Sequence, residues 1–352
     1  MGAILATEKK PARRRRRAYA GLQIRDVSRL SGVSAQTVSR YFNTPEKVSE
    51  QTRRKIAAAV EQTGYIPNMV AKGLSSNRTN IVAAIVPTIT HSIFADVLSG
   101  ISRVLEERNH RLLISESGYS LQREEALIRE LRAQRPAGIV LIGQARSEAA
   151  RVLLSGLTIP VVELLEIDAP PFDLGVGFSN FAACRETTRR LIAAGYRSIG
   201  FVGAPFEAND RATRRYEGYR AAMDEAGLEA PESWLRTAAF SYRAGAEAFG
   251  DLVEHHPTLE VVFTNDILAV GAVLECQRRG LTIPDDIGIC GFDDLELASL
   301  TNPPLTTVRI PRYEIGRQAA QLVLASNAGE RPGHPTVDVG FEIVSRGSTR
   351  PI

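Results

Sequence analysis

Polar side chains that follow predicted strands are the residues of this chain best suited to chemistry. The positions are Thr88, Glu116, Asn265, Asp266, Asp293 and Asp294. In open parallel sheets, ligands bind beyond the carboxyl ends of the strands. Arg215, at the start of a predicted helix, adds a cation. Asn or Asp after a strand often only caps the next helix, so each of these residues alone is weak evidence. Taken together, they predict a site for a small polar ligand.

The sequence carries no motif of catalysis or metal binding. It has no phosphate loop, no GxGxxG after a strand, no GxSxG elbow and no Cys or His pair at metal-ligand spacing. Asp293-Asp294 is the one close carboxylate pair among the strand ends, and neighbours along a chain point in different directions. We therefore expect no enzyme, no cofactor and no metal site.

A second group of polar side chains lies in the segment Ile24 to Asn43, which reads IRDVSRLSGVSAQTVSRYFN. Two helical patterns are separated by Ser31-Gly32-Val33, and the first is expected to bury Ile24, Val27 and Leu30. Ser34 is the expected N-cap of the second helix. The pattern predicts a helix-turn-helix, although any small helical hairpin can look similar. The side chains that this pattern leaves available to DNA are Gln36, Thr37, Ser39 and Arg40.

Charge supports nucleic acid as the partner of this end of the chain. Residues 1 to 80 carry 16 Lys and Arg against 5 Asp and Glu, whereas the remainder has 27 against 35. A concentrated positive field favours binding to a duplex through the release of its counterions. We interpret residues 1 to 20, with Lys9, Lys10 and Arg13 to Arg17, as a disordered basic arm. The arm is either a solvated tail or a source of non-specific phosphate contacts.

Composition bounds the class of protein. A length of 352 residues, 44% hydrophobic and 24% charged, predicts a globular chain of two or three domains. No apolar run approaches a membrane span or a signal peptide, so we expect a cytoplasmic protein. Cys184, Cys276 and Cys290 are widely separated in apolar surroundings, which favours buried thiols over disulfides.

From Asn80 onwards, short apolar runs alternate with amphipathic stretches such as Ile93–Asn109 and Thr213–Ala226. This alternation predicts parallel sheet covered by helices on both faces. Eight strands are many for one sheet with short connections, so we divide them between two Rossmann-like lobes. The predicted strands are Ile81–Val86, Arg111–Ser115, Gly138–Ile142, Val161–Leu164, Leu174–Phe178, Ser198–Gly203, Val261–Thr264 and Ile287–Gly291.

Several of these segments together resemble the lactose-repressor (LacI/GalR) family of bacterial transcription regulators. They are IRDVSRLSGVSAQTVSRYFN, VSEQTRRKIAAAVEQTGYIPNMVAKGL, FTNDILAVGA, IGICGFDD and NPPLTTVRIPRYEIG, and the resemblance covers about residues 22 to 350. Within the family, VVELLEIDAPPFDLGVGFSNFAA and LECQRRGLTIPDDI look most like gluconate-utilisation repressors. The resemblance implies a homodimer or tetramer that binds a pseudopalindromic double-stranded DNA operator and responds to a small effector. Our hypothesis is a dimeric repressor that the effector releases from DNA.

The resemblance also implies the domain bounds. It gives a helix-turn-helix domain at 21–66, a hinge at 67–79 and a two-lobed, periplasmic-binding-protein-like effector domain at 80–352. The N-lobe would comprise about 80–178 and 307–335, and the C-lobe about 179–306 and 336–352. Asn68, Ala71 and Leu74 would contact DNA from the hinge, with Leu74 inserted into the minor groove.

By the same resemblance, Arg215 would clamp the effector and Phe240 would stack against it. The full expected effector set is Thr88, Phe94, Asn180, Arg215, Phe240, Asn265 and Asp293. A guanidinium with hydroxyl-binding partners suits a sugar acid, but an Arg also binds the hydroxyls of a neutral sugar, and a nucleobase effector stays open. A solute-binding protein would share the two lobes, yet it needs export and no DNA-binding head.

Overall fold

The computed structural model describes residues 23–65 and 79–352, as two units that are treated separately below. The predicted arm (1–20) and the hinge residues Asn68, Ala71 and Leu74 lie outside the described residues.

The N-terminal unit consists of three helices, α1 (Ile24–Ser31), α2 (Ala35–Asn43) and α3 (Glu50–Thr63). Gly32 ends α1 in the left-handed conformation, with φ of 65°, which Gly adopts without steric cost. The side chain of Ser34 caps α2 by accepting a hydrogen bond from Thr37 N at 3.2 Å. The turn and the cap are therefore those that the sequence predicts.

A small apolar core holds the three helices together. It is formed by Val27, Val38, Ile56, Ala59 and Tyr65. Leu30 does not join it: its side chain is 47% exposed, so the prediction that it is buried is wrong. With 3.6 residues per turn, the spacing i, i+3, i+6 drifts around the helix, and the third residue leaves the buried face.

The second unit contains two parallel sheets. The N-lobe sheet has the order β11-β5-β4-β3-β1-β2 and the C-lobe sheet the order β7-β6-β8-β9. The N-lobe strands are β1 (Ile81–Val86), β2 (Arg111–Glu116), β3 (Gly138–Ile142), β4 (Val161–Leu164), β5 (Leu174–Gly177) and β11 (Thr336–Asp338). The C-lobe strands are β6 (Ile199–Gly203), β7 (Leu235–Thr237), β8 (Val261–Phe263) and β9 (Gly288–Cys290). The two predicted Rossmann-like lobes are thus present.

Helices cover these sheets. Those of the N-lobe are α4 (Ser92–Glu107), α5 (Leu121–Ala133), α6 (Glu148–Ser155) and α11 (Arg312–Asn327). Those of the C-lobe are α7 (Asn180–Ala193), α8 (Asp210–Glu225), α9 (Tyr242–His255) and α10 (Asp266–Arg279). Three helix pairs, α4 with α11, α7 with α8 and α9 with α10, pack closely together. None of the helices in the described part of the chain is long and apolar enough to span a membrane.

The bounds predicted for the second N-lobe segment, 307 and 335, are both displaced. β10 (Thr307–Arg309) pairs antiparallel with β12 (Glu342–Val344) and bridges to Asp293 of the C-lobe, so the return to the N-lobe comes after it. β11 pairs in parallel with β5, which places residues 336–338 in the N-lobe sheet rather than the C-lobe. Strands of three residues carry too little periodicity to be assigned from sequence.

Candidate functional site

The N-terminal unit presents one polar face on α2. Gln36 and Arg40 are exposed and lie four residues apart, which puts them on the same side of the helix. Val38, between them in sequence, is fully buried and fixes the rotation of the helix against the core. Arg40 joins no ion pair within residues 23–65. Side chains of these types read base edges or bind phosphates when such a helix enters a major groove.

The cleft between the two lobes contains a cavity in two connected parts. The inner part, of about 40 Å³, adjoins an outer part of about 330 Å³, and Tyr119, Asn209 and Phe240 line both. Five of the seven expected effector residues meet at the inner part: Phe94, Arg215, Phe240, Asn265 and Asp293. Thr88 lines only the outer part. Residues from both lobes therefore converge on one cleft.

Arg215 lies in the second turn of α8, because this helix begins three residues before the predicted start at Thr213. Its guanidinium stacks on the ring of Phe292, 3.8 Å from the ring centroid. Its Nε donates to Oδ1 of Asn180 at 2.8 Å. Asn180 is fully buried, and its amide nitrogen donates to the carbonyl of Leu165. Asn180 thus lies behind Arg215 rather than in the cavity wall, and it orients the guanidinium.

Asp293 is the buried carboxylate of the cleft, with only 2% of its surface exposed. Its Oδ1 lies 3.6 Å from Nη2 of Arg215, whereas Oδ2 has no hydrogen-bond partner among the described residues. Burial raises the pKa of Asp293, and the guanidinium of Arg215 opposes that shift. Its φ of 114° is a strained conformation for a residue with a side chain. A strained, partly unpaired acceptor in a cleft is suited to a ligand hydroxyl.

Asn265 has two roles. Its Oδ1 accepts a hydrogen bond from Leu268 N at 3.0 Å and so caps α10, while the residue also lines the inner cavity. The capping role is therefore observed, whereas the ligand role stays a prediction, for which the amide nitrogen is the group that can donate.

The neighbouring acids Asp266 and Asp294 have structural contacts instead. Asp266 accepts hydrogen bonds from the Thr307 hydroxyl and from Leu295 N, and burial raises its pKa to about 7. Asp294 pairs with Arg309 and Arg346, both at 2.7 Å. Neither lines the cavity, so of the pair Asp293-Asp294 only the first belongs to the site.

Among the cavity residues that were not predicted from the sequence, Tyr119, Arg211 and Arg312 carry polar groups. Tyr119 stacks on Phe240, with ring centroids 6.1 Å apart. Arg312 comes from α11 of the N-lobe, pairs with Asp96 at 2.9 Å and donates to the carbonyl of Asp293 in the other lobe. Arg211 lies one turn before Arg215 on α8, a spacing that could have revealed it had the helix start been placed correctly.

The cysteines are buried and free, as the sequence predicts.

An exposed polar helix on a helix-turn-helix unit, carried by the same chain as a two-lobed domain with a polar cleft, defines a ligand-responsive DNA-binding regulator. Comparison with known proteins agrees with this class. Residues 23–68 match the family described as bacterial regulatory proteins, lacI family. Residues 79–336 match the family described as periplasmic binding proteins and sugar binding domain of LacI family.

Individual relatives give the same result. The HTH-type transcriptional regulator GntR of Escherichia coli (strain K12) is 36% identical over 326 residues, which are 92% of this chain and 98% of that protein. A crystal structure of a LacI-family regulator from Silicibacter pomeroyi is 35% identical, has a TM-score of 0.86 and covers 94% of this chain and 100% of its own. The lac repressor dimer bound to operator and ONPF, at 22% identity and a TM-score of 0.83, shares the fold over 93% of this chain and 98% of its own.

The chain therefore belongs to the LacI family of bacterial regulatory proteins. It is a transcriptional regulator with an N-terminal DNA-binding domain, and it is not an enzyme.

Proposed function

We propose that this protein represses genes for the use of a sugar acid, and that the sugar acid, D-gluconate in the first instance, releases it from its operator. The observation that carries the proposal is the charge of the cleft. Three guanidinium groups, from Arg211, Arg215 and Arg312, line the inner part together with the one carboxylate found there among the described residues, that of Asp293, whereas Glu116 and Glu207 line the outer part. Such a site favours an anion that also bears hydroxyl groups.

Each part of a sugar acid has a partner in this arrangement. Arg215, already oriented by Asn180, would bind the carboxylate through charge-assisted hydrogen bonds. The unpaired Oδ2 of Asp293 would accept a hydroxyl, and Asn265 would donate to another. Phe240, supported by Tyr119, would cover an apolar face of the carbon chain, which would extend towards Thr88 in the outer cavity.

The DNA end of the mechanism follows the family resemblance. A homodimer would place two copies of α2 on the half-sites of a pseudopalindromic operator in the bacterial cytoplasm, where the protein would be associated with the nucleoid when bound. Base-edge and phosphate contacts would come from Ser34, Ala35, Gln36, Thr37, Ser39, Arg40 and Asn43, together with the hinge residues Asn68, Ala71 and Leu74. The effector would weaken operator binding through reciprocal coupling of the two sites.

The test measures operator affinity by fluorescence anisotropy, with DNA from upstream of the protein's own gene, with and without D-gluconate. We expect gluconate to weaken binding at least tenfold. Arg215→Ala should lose this response, because a charge-assisted hydrogen bond to the ligand is worth about 1.5–3 kcal/mol. Its operator affinity without gluconate should stay unchanged. Arg214→Ala is the matched control: the Arg214 side chain is 41% exposed, pairs with Glu217 and lies outside the cavity.

A panel with D-glucose, adenine and further sugar acids separates the alternatives. If only glucose or only adenine weakened operator binding, the effector would be a neutral sugar or a nucleobase and not a sugar acid. If D-gluconate still weakened operator binding normally in Arg215→Ala, Arg215 would not be the residue that binds the effector carboxylate.

A further inference from the structure

The helix that carries Arg211 and Arg215 contacts the opposite lobe through its first residue. Asp210 begins α8 of the C-lobe. Its Oδ2 accepts hydrogen bonds from the backbone N–H groups of Gln144 and Ala145, the second at 3.1 Å. Gln144 and Ala145 lie in the loop that follows β3 of the N-lobe. One carboxylate therefore bridges the cleft at the end of the helix that bears two of the three cavity arginines.

The loop that receives Asp210 is held rigidly. Gly143 N donates to the carbonyl of Leu164 at 2.8 Å. Arg146, whose side chain is fully buried, donates to the Gly143 carbonyl at 2.8 Å and to Oε1 of Glu163 at 2.6 Å. The two N–H groups are therefore fixed in place before Asp210 binds them, and little ordering entropy opposes the contact.

Gly143 is itself fitted to this contact. Its φ is 71°, and a Cβ at this position would overlap the carboxylate of Asp210 and the guanidinium of Arg211. A side chain at this position would therefore displace the Asp210 carboxylate and the Arg211 guanidinium from where they lie. An acid that only favoured the positive end of α8 would need no such space in the other lobe.

We propose that Asp210 is a positioning residue that ties the lobes together and holds Arg211 and Arg215 against the N-lobe wall of the cleft. Effector affinity then depends on a residue outside the cavity. The link to the effector rests on the proposed function, whereas the bridge between the lobes does not.

The bridge is tested in the full-length, ligand-free protein by hydrogen-deuterium exchange of the segment 143–146, read by mass spectrometry. Asp210→Ala removes both acceptor oxygens, and we expect exchange of this segment to become at least tenfold faster. Asp224→Ala, which removes an exposed acid from the far end of the same helix, should leave it unchanged. Should Asp210→Ala fail to fold, Asp210→Asn keeps the side-chain shape and one acceptor and should give a smaller acceleration.

Unchanged exchange at 143–146 in the folded variants would overturn the proposal and leave Asp210 a helix-end acid. The second readout is D-gluconate affinity, which should weaken about tenfold in Asp210→Ala and not in Asp224→Ala. Faster exchange with unchanged gluconate affinity would refute the positioning role. If wild type does not bind gluconate, the proposed function fails, while the exchange result still decides the bridge.

Discussion

At the scale of the residue, the proposed effector site depends on a buried acid behind Arg215. Oε2 of Glu166 accepts a hydrogen bond from the amide of Asn180 at 3.1 Å, and Asn180 in turn accepts from Arg215. Glu166 is only 1% exposed, and burial raises its pKa to about 8. The proton on Glu166 is therefore part of the structure that orients Arg215 near neutral pH.

This pKa predicts a pH dependence of stability. The folded protein keeps a proton that the unfolded chain, with a Glu pKa of about 4.3, has already lost. Glu166 thus lowers the free energy of unfolding as the pH rises from about 4.3 to 8, by about 5 kcal/mol. Glu166→Gln should lose less stability than wild type between pH 5 and 8.5 in urea titrations. The exposed Glu148→Gln is the control, and parallel curves for wild type and Glu166→Gln would contradict the assignment.

The sequence predicts the kind of chemistry at the cleft better than it predicts the complete set of residues that line it. Asn265 and Asp293 could be selected because each follows an apolar strand, and Arg215 because a helix begins nearby. Tyr119 and Arg312 lie in the N-lobe, distant in sequence from Arg215, Asn265 and Asp293, and only the packing of one lobe on the other places all of them in the same cavity. No local pattern carries that information.

At the scale of the element, pairs of helices approach closely at glycines. Gly316 of α11 faces the carbonyl of Val97 on α4, and Gly100 of α4 faces the carbonyl of Tyr313 on α11. A Cβ at either position would overlap the backbone of the partner helix. The two helices therefore behave as one rigid unit, in which even a methyl group cannot be accommodated without movement.

Gly316→Ala should accordingly lower the free energy of unfolding by about 1–3 kcal/mol, since overpacking forces backbone shifts. The measurement is the urea midpoint of the full-length protein. Gly333→Ala is the matched control, because a Cβ there meets no atom within 4 Å. A Gly316→Ala midpoint equal to that of Gly333→Ala would show that α4 and α11 can separate at little cost.

The long elements were predictable and the short ones were not. Ile81–Val86 and Gly138–Ile142 are continuous apolar runs, and their predicted bounds are those of the structure. β10, β11 and β12 have three residues each, and their pairing is set by contacts far along the chain. This is why both ends of the second N-lobe segment were misplaced.

At the scale of the whole molecule, charge is divided between the two ends of the chain. The first 80 residues carry a net charge of +11 and the rest a net charge of −8. An acidic effector domain repels DNA, so the polyanion is directed to the N-terminal part. The basic cluster Arg13 to Arg17 supplies part of this positive charge.

Deleting residues 1–18 should therefore flatten the dependence of operator affinity on salt, by about 0.9 in the log–log slope for each phosphate that the arm neutralises. Deleting residues 1–8, which contain no Lys or Arg, controls for length. Affinities measured between 50 and 300 mM salt give the slopes, and equal slopes for the two deletions would make the arm a solvated tail.

The pairing of β11 with β5 also sets the order in which the protein is completed during synthesis. The DNA-binding core is formed by residues that all precede 66, so it leaves the ribosome early. The N-lobe sheet receives its last strand from residues 336–338, more than 150 residues after β5. A nascent chain thus has the core of its helix-turn-helix unit while the N-lobe sheet still lacks an edge strand, and the effector domain is complete only after residue 338 has been added.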